Sequence, residues 1–209
     1  MTSNAISPNV IKRLPRYYRF LGELISENVQ RISSGELAKR MGLTASQIRQ
    51  DLNCFGGFGQ QGFGYNVVDL HESISKILGL KDVAKAVLIG AGNLGKALSV
   101  HMKFEDYGFK LIGIFDKNEA LAGSILGEIP VRNMTVLEEF CREQKPTIAI
   151  LCIPKEAAKN VVEELIALGV RGFWNFTHYD IAVNHEGVIV ENVHLSDSMM
   201  TLRYQMKNK

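Results

Sequence analysis

The sequence predicts an α/β chain in two domains: a winged helix-turn-helix over residues 1–80, then a parallel-sheet domain over residues 81–193 followed by a lone helix over 194–209. Three observations predict this. Ser33-x-x-Glu36 and Thr44-x-x-Gln47 are capping-box patterns on either side of Gly42, the signature of two short helices joined by a tight turn. From Lys85 onward short apolar runs alternate with amphipathic stretches, the pattern of parallel strands with helices covering both faces of the sheet. Between the first of those runs and the helix after it stand Gly90, Gly92 and Gly95. A chain of 209 residues has room for two small domains or one large one, and 46% apolar with 22% charged residues is ordinary globular composition.

In the first domain Ile11, Leu14, Tyr18, Leu21 and Ile25 predict an amphipathic helix, kinked or restarted at Pro15, and a turn over 28–32. The second helix runs from Ser34 to Met41. In the third, Ile48, Leu52 and Phe55 face inward, leaving Ser46, Arg49, Gln50 and Asn53 outward, side chains of the kind that read base edges. Gly56 to Gly64, with Phe58, Phe63 and Tyr65 interleaved, predicts a glycine-dependent ribbon, a wing with Gln60 and Gln61 at its tip. Asp69 is placed to cap a last helix with Leu70, Ile74 and Ile77 inward.

Charge is uneven. Residues 1–80 hold nine Lys and Arg against six Asp and Glu, net +3, whereas 81–209 hold fifteen against sixteen, net −1. Lys12, Arg13, Arg16 and Arg19 fall close together, with the three arginines along one side of a helix, a face that suits a polyanion such as double-stranded DNA. There is no run of 18 apolar residues and no signal-peptide order at the N-terminus, so a cytoplasmic, non-membrane protein is expected. Cys54, Cys141 and Cys152, without a C-x-x-C, are expected to be buried thiols rather than disulfide or metal ligands.

In the second domain the runs 86–90, 111–116, 147–154 and 172–176 predict buried strands, with helices near 94–104, 135–143 and 155–168 and a small hairpin around VNHEGVIV. Leu195, Met199, Leu202 and Met206 form a stripe on the terminal helix with no further chain to cover it. Gly90-Ala91-Gly92-Asn93-Leu94-Gly95 is G-x-G-x-x-G between a strand and a helix, and Asp116 ends the next strand 21 positions after Gly95. Glycines let the backbone approach a pyrophosphate, the helix N-terminus supplies N–H groups, and the carboxylate takes a ribose diol. Together they predict a Rossmann domain binding NAD(H) in preference to NADP(H), a preference that neighbouring Lys117 weakens.

Little chain remains for a substrate domain, and the five histidines show no metal-ligand spacing. The nucleotide is therefore expected to be sensed rather than turned over, with no catalytic residues and no metal, and with His101 and His194 as sensor candidates. Two other classes stay open, an NAD-dependent oxidoreductase with a basic dimerisation module and a coenzyme A or nucleotide-binding subunit.

RLPRYYRFLGEL, RISSGELAKRMGLTASQIRQDL, FGGFGQQGFGYNV, the glycine loop with Asp116, the strand ends CIP and WNF, and VENV occur in an order that spans essentially the whole chain. In this it resembles the Rex family of redox-sensing transcriptional repressors. The resemblance implies a homodimer in which each terminal helix is swapped onto the other subunit, and repression that NAD+ permits and NADH relieves. It implies that Gly90, Ala91, Gly92, Asn93, Leu94, Gly95, Asp116 and Lys117 hold the adenosine and pyrophosphate side. Ile153, Pro154 and Asn175 would line the nicotinamide side, with His101 and His194 nearby. On DNA, Ser46, Gln47, Arg49, Gln50 and Asn53 would enter the major groove, while Arg13, Arg16, Arg19, Gln60 and Gln61 hold the backbone or minor groove. The chain departs from the commoner family pattern at Gln50, at Gln60 and Gln61, and at His101 and His194, where many relatives carry lysine, cationic residues, tyrosine and aspartate. The two histidines imply a switch sensitive to pH near neutrality, where imidazole titrates.

Overall fold

A computed structural model describes residues 6–58 and 63–208. It divides into two compact units, one up to Asp82 and one from Val83. The first contains α1 (Pro8–Ser26), β1 (Arg31–Ile32), α2 (Ser34–Met41), α3 (Ala45–Asn53), β2 (Tyr65–Asn66) and α4 (Val67–Ile77). Helix α1 continues through Pro15, and its buried stripe is Val10, Leu14, Tyr17, Leu21 and Leu24. That stripe departs from the predicted one at three of its five positions: Ile11 is exposed, and Tyr18 and Ile25 are half-buried.

Ser33 and Glu36 form the reciprocal capping box at the start of α2, and Gly42 ends it at φ +64. The second box is only half made. Thr44 accepts from the Gln47 N–H, but the Gln47 side chain turns inward to Asp51 at 2.8 Å. Phe55 lies half-buried past the end of α3. The predicted turn over 28–32 contains β1, which pairs antiparallel with β2. So the strand after the glycine-rich segment pairs back to the first connection, and residues 59–62 of the wing, with Gln60 and Gln61, lie outside the described residues. Helix α4 is capped by Asn66, whose Oδ1 accepts from the N–H groups of Val68 and Asp69, rather than by Asp69, and Ile77 is exposed.

A polar cluster crosses this largely apolar core. The Asp51 carboxylate, 1% exposed, accepts from Arg13 Nε at 2.6 Å and Arg13 guanidinium nitrogen at 2.7 Å, from Tyr17 Oη at 2.8 Å and from Gln47. A buried carboxylate costs several kcal/mol unless it is paired and its lone pairs are filled, and here both conditions are met. The cluster ties the middle of α3 to the first half of α1.

The second unit contains β3 (Ala84–Ile89), α5 (Asn93–His101), β4 (Phe109–Asp116), β5 (Ile125–Leu126), β6 (Ile129–Asn133), α6 (Leu137–Gln144), β7 (Ile148–Leu151), α7 (Lys155–Ala167), β8 (Gly172–Asn175), α8 (Ile181–Asn184), β9 (Ile189–Asn192) and α9 (Leu195–Lys207). The sheet runs β5-β6-β4-β3-β7-β8-β9, parallel except for the β5–β6 hairpin. Leaving β5 aside, this is the doubly wound order, with the reversal between β3 and β7. Alternate residues of β3 face opposite ways: Val87 and Ile89 join one core with Leu137, Val162 and Leu165, while Ala86 and Leu88 join the other with Phe104 and Ile114. Residues 183–190 form no hairpin. They pass from α8 into β9, which adds parallel to β8.

Coverage of the sheet is incomplete. An apolar groove of about 400 Å3, lined by Met102, Phe104, Tyr107 and Phe109 and by Ile148, Ile150, Trp174 and Ile189, stays open on one face. Correspondingly, α9 has no buried residue: Leu195, Met199, Leu202 and Met206 are each more than half exposed.

Burial alone would raise the Asp51 carboxyl, but the bonds from Arg13, Gln47 and Tyr17 outweigh it and hold it below the ordinary carboxylate range. A depressed folded value stabilises above the unfolded one, near pH 4, and that stabilisation is lost as pH falls through the folded value. Asp51→Asn should cost about 3 kcal/mol in denaturant unfolding and flatten the acid limb of a stability-against-pH curve. An unchanged acid limb would disprove the role given to this carboxylate.

Candidate nucleic-acid face and nucleotide cleft

Helix α3 presents Ser46, Arg49, Gln50 and Asn53 to solvent, as its periodicity predicts. Gln47 does not join them, because its amide is spent on Asp51. Arg49 donates to Ser34 Oγ at 3.1 Å, which draws its guanidinium toward the N-terminus of α2. The arginine face of α1 is less free than its sequence suggests. Arg13 is neutralised by Asp51, a structural role in place of the predicted phosphate contact, and Arg16 donates to the Met41 carbonyl at 2.5 Å. Arg19 is exposed and lies 5.6 Å from the centre of the Phe20 ring. Arg31 donates to the Phe63 carbonyl at 3.1 Å, holding the near end of the wing to β1. Cys54 is exposed, contrary to expectation, because α3 ends there and leaves its thiol on the Gln50 carbonyl; Cys141 is buried, and Cys152 half-buried.

In the second unit a cleft of about 200 Å3 opens at the ends of β3 and β7, where the strand order reverses. Gly90, Gly92, Asp116, Lys117, Ile153 and Pro154 line it, together with Met134, Cys152, Ala157 and Val161. Gly90 sits at φ +101, and a Cβ there would run into the Cys152 carbonyl. A Cβ on Gly95 would overlap the Gly90 carbonyl oxygen, so α5 can leave the strand at this angle only with glycine at both places. Gly92, at the N-cap, offers no side chain to the first N–H groups of α5, whose Asn93 and Leu94 are exposed. Asp116 accepts from the Ala91 N–H at 2.7 Å and from the Asn118 N–H at 2.8 Å, which uses two of its roughly four lone-pair directions. These residues fit a dinucleotide: a backbone cradle with no side chain in it, uncapped N–H groups for a pyrophosphate, and a carboxylate with acceptors left for a diol. Burial pushes the Cys152 thiol up to about 12, so it is no thiolate at neutral pH.

Asn175 is not a lining residue. It is fully buried, donating to the Tyr179 carbonyl and to Asn192 Oδ1 and accepting from the Thr177 N–H and hydroxyl, so it clasps β8 to β9. His194 stands at the N-cap position of α9 without a side-chain capping bond. Its Nε2 lies 3.2 Å from the Thr177 carbonyl and its Nδ1 3.5 Å from Asp197, while its ring is 4.9 Å from that of His178. His101 is exposed at the end of α5. Sequence reasoning missed Asp51, although an acid between Ile48 and Leu52 on an inward stripe was the signal, and it missed His178, which carries none.

Fold and site together define a helix-turn-helix protein joined to a dinucleotide-type α/β domain. Two family models match, "Putative DNA-binding protein N-terminus" over residues 5–53 and "CoA binding domain" over 81–179. The redox-sensing transcriptional repressor Rex of Thermoanaerobacter sp. (strain X514) is 49% identical over 98% of this chain and 91% of its own length. That of Clostridium botulinum (strain Eklund 17B / Type B) is 51% identical over 96% and 95%. Crystal structures of RSP, a Rex-family repressor, superpose with TM-scores of 0.90 for the complex with β-NAD+ and operator DNA and 0.89 for that with β-NADH. They are 49% and 46% identical and cover 98% of this chain, and 94% and 96% of RSP. The chain belongs to the Rex family of redox-sensing transcriptional repressors. It is accordingly a regulator and not an oxidoreductase, and no helix among the described residues is long and apolar enough to cross a membrane.

Gly95→Ala should destabilise the second unit by about 3 kcal/mol, the upper end for overpacking, because its neighbour is backbone and cannot step aside. A thermal melt indistinguishable from wild type would contradict that packing.

Proposed function

We propose that this chain is a homodimeric repressor that holds operator DNA when NAD+ or no nucleotide is bound and releases it when NADH binds. The observation that carries the reading is the pairing, in one chain, of the outward face of α3 with the glycine cradle and Asp116. Relatives at about half identity carry the repressor name, and RSP binds β-NAD+ with operator DNA and binds β-NADH. Gly90 to Gly95 and Asp116 take the adenosine and pyrophosphate, with Lys117 at the edge, and Ile153 and Pro154 face the nicotinamide end. NADH acts by binding the state that does not fit DNA more tightly than NAD+ does, since a ligand shifts an equilibrium only by its differential affinity. The nucleotide is a sensed ligand and leaves unchanged.

Two unmatched surfaces support the dimer, the open apolar groove of the sheet and the bare stripe of α9. Exchanging α9 between copies covers apolar surface that a single chain leaves in water. On this reading residues 1–80 are the DNA-binding domain, 81–193 the nucleotide domain and 194–209 the exchanged helix. His194, at the root of that helix, lies between the Thr177 carbonyl and Asp197.

In fluorescence anisotropy on a palindromic operator, NADH should weaken binding by about 10-fold or more relative to NAD+, within the usual range of coupling energies. Operator affinity equal with both nucleotides would remove the sensor reading. Arg49→Ala should abolish operator binding and leave NADH affinity intact, which the same titration and a direct NADH fluorescence titration would check. Removing residues 195–209 should turn a dimer into a monomer by light scattering.

A further inference from the structure

The outward face of α3 carries one cation and two carboxamides, and they are not equally free. Arg49 is drawn to Ser34 Oγ, in the first turn of α2. The amides of Gln50 and Asn53 are exposed and make no side-chain hydrogen bond among the described residues. Their spacing of three places them side by side on the helix, about 4.5 Å apart along its axis. Base pairs stack about 3.4 Å apart, so two such side chains meet neighbouring pairs rather than the same one.

The chemistry of a carboxamide then limits the base. It offers an acceptor oxygen beside an N–H donor, and in the major groove only adenine presents the complementary donor beside an acceptor, N6–H2 next to N7. Guanine presents two acceptors, which call for a fork of donors such as arginine or lysine. The outward residues of α3 include no lysine, and its one arginine is engaged at α2.

We propose that Gln50 and Asn53 are the base-reading residues of this chain and that each operator half-site presents adenines to them at adjacent base pairs, with Arg49 positioning the helix on phosphate. This rests on the repressor reading above and assigns the specificity of that same face. Because both side chains are exposed and bond nothing in the fold, their variants keep the folded chain, which an unchanged melting curve checks.

The test is selection from a randomised duplex library with the wild type, Gln50→Ala, Gln50→Lys and Asn53→Ala, followed by anisotropy on the selected operator at several salt concentrations. The wild type should select adenine at two adjacent positions of each half-site, and adenine to guanine at either should weaken it by about 10-fold or more. Gln50→Ala should lose the preference at one of these and Asn53→Ala at the other, both with the salt slope unchanged. Gln50→Lys should change the first to guanine. A palindrome selected equally well by the wild type and both alanine variants would overturn the assignment and leave the repressor reading standing. So would guanine at the positions these variants flatten. No selected sequence from the wild type would remove the repressor reading and this inference with it.

Discussion

Between Ile89 and Gly95 the chain passes itself so closely that there is no room for a single carbon. Gly90 lies under the Cys152 carbonyl and Gly95 against the carbonyl of Gly90. That approach fixes the angle at which α5 leaves β3, and with it the direction of the first N–H groups of the helix. It also brings the end of β7 next to the end of β3, which is where the cleft opens. The arrangement cannot be relaxed by a small shift of side chains, because the contacts are backbone to backbone. The cores on both faces of the sheet are built on strands whose spacing this turn respects.

In the first unit the corresponding anchor is a carboxylate, and it explains where sequence reading succeeded and failed. Helices α2 and α3 were legible because their limits are set locally, by a serine, a threonine and a glycine. The arginine row on α1 was legible as a pattern but not as a role. Spacing puts Arg13, Arg16 and Arg19 on one side, yet whether a guanidinium faces phosphate or a buried acid depends on a residue 38 positions away. The one-residue offset of the α1 stripe has a similar source: Tyr17 could be buried because its hydroxyl finds Asp51.

In the second unit the long apolar strands and the glycine loop were legible, since both depend on runs of neighbouring residues. The strands β5, β6 and β9 were not, being short, partly polar and paired through the sheet rather than by local preference. Asn175 reads as a cleft residue by position at a strand end. Its amide turns the other way because four bonds to the loop and β9 hold it there. The stripe on α9 was visible in the sequence, and the groove on the sheet that lacks a cover was not, because it is assembled from segments far apart in the chain, from Ala86 to Glu191.

The bond from the Ala91 N–H to Asp116 has a consequence for discrimination. It ties the glycine loop to the end of β4 without help from any ligand. A dinucleotide therefore meets a loop already in order, and little of its binding energy goes into arranging it. But the oxidised and reduced nucleotides are the same molecule at this end, so a rigid cradle grips both alike. What it contributes is retention common to the two, and any preference must arise where their rings differ, in charge and planarity. The more firmly the shared half is held, the higher the occupancy of both forms together, and the more the protein responds to their ratio rather than to the amount of either.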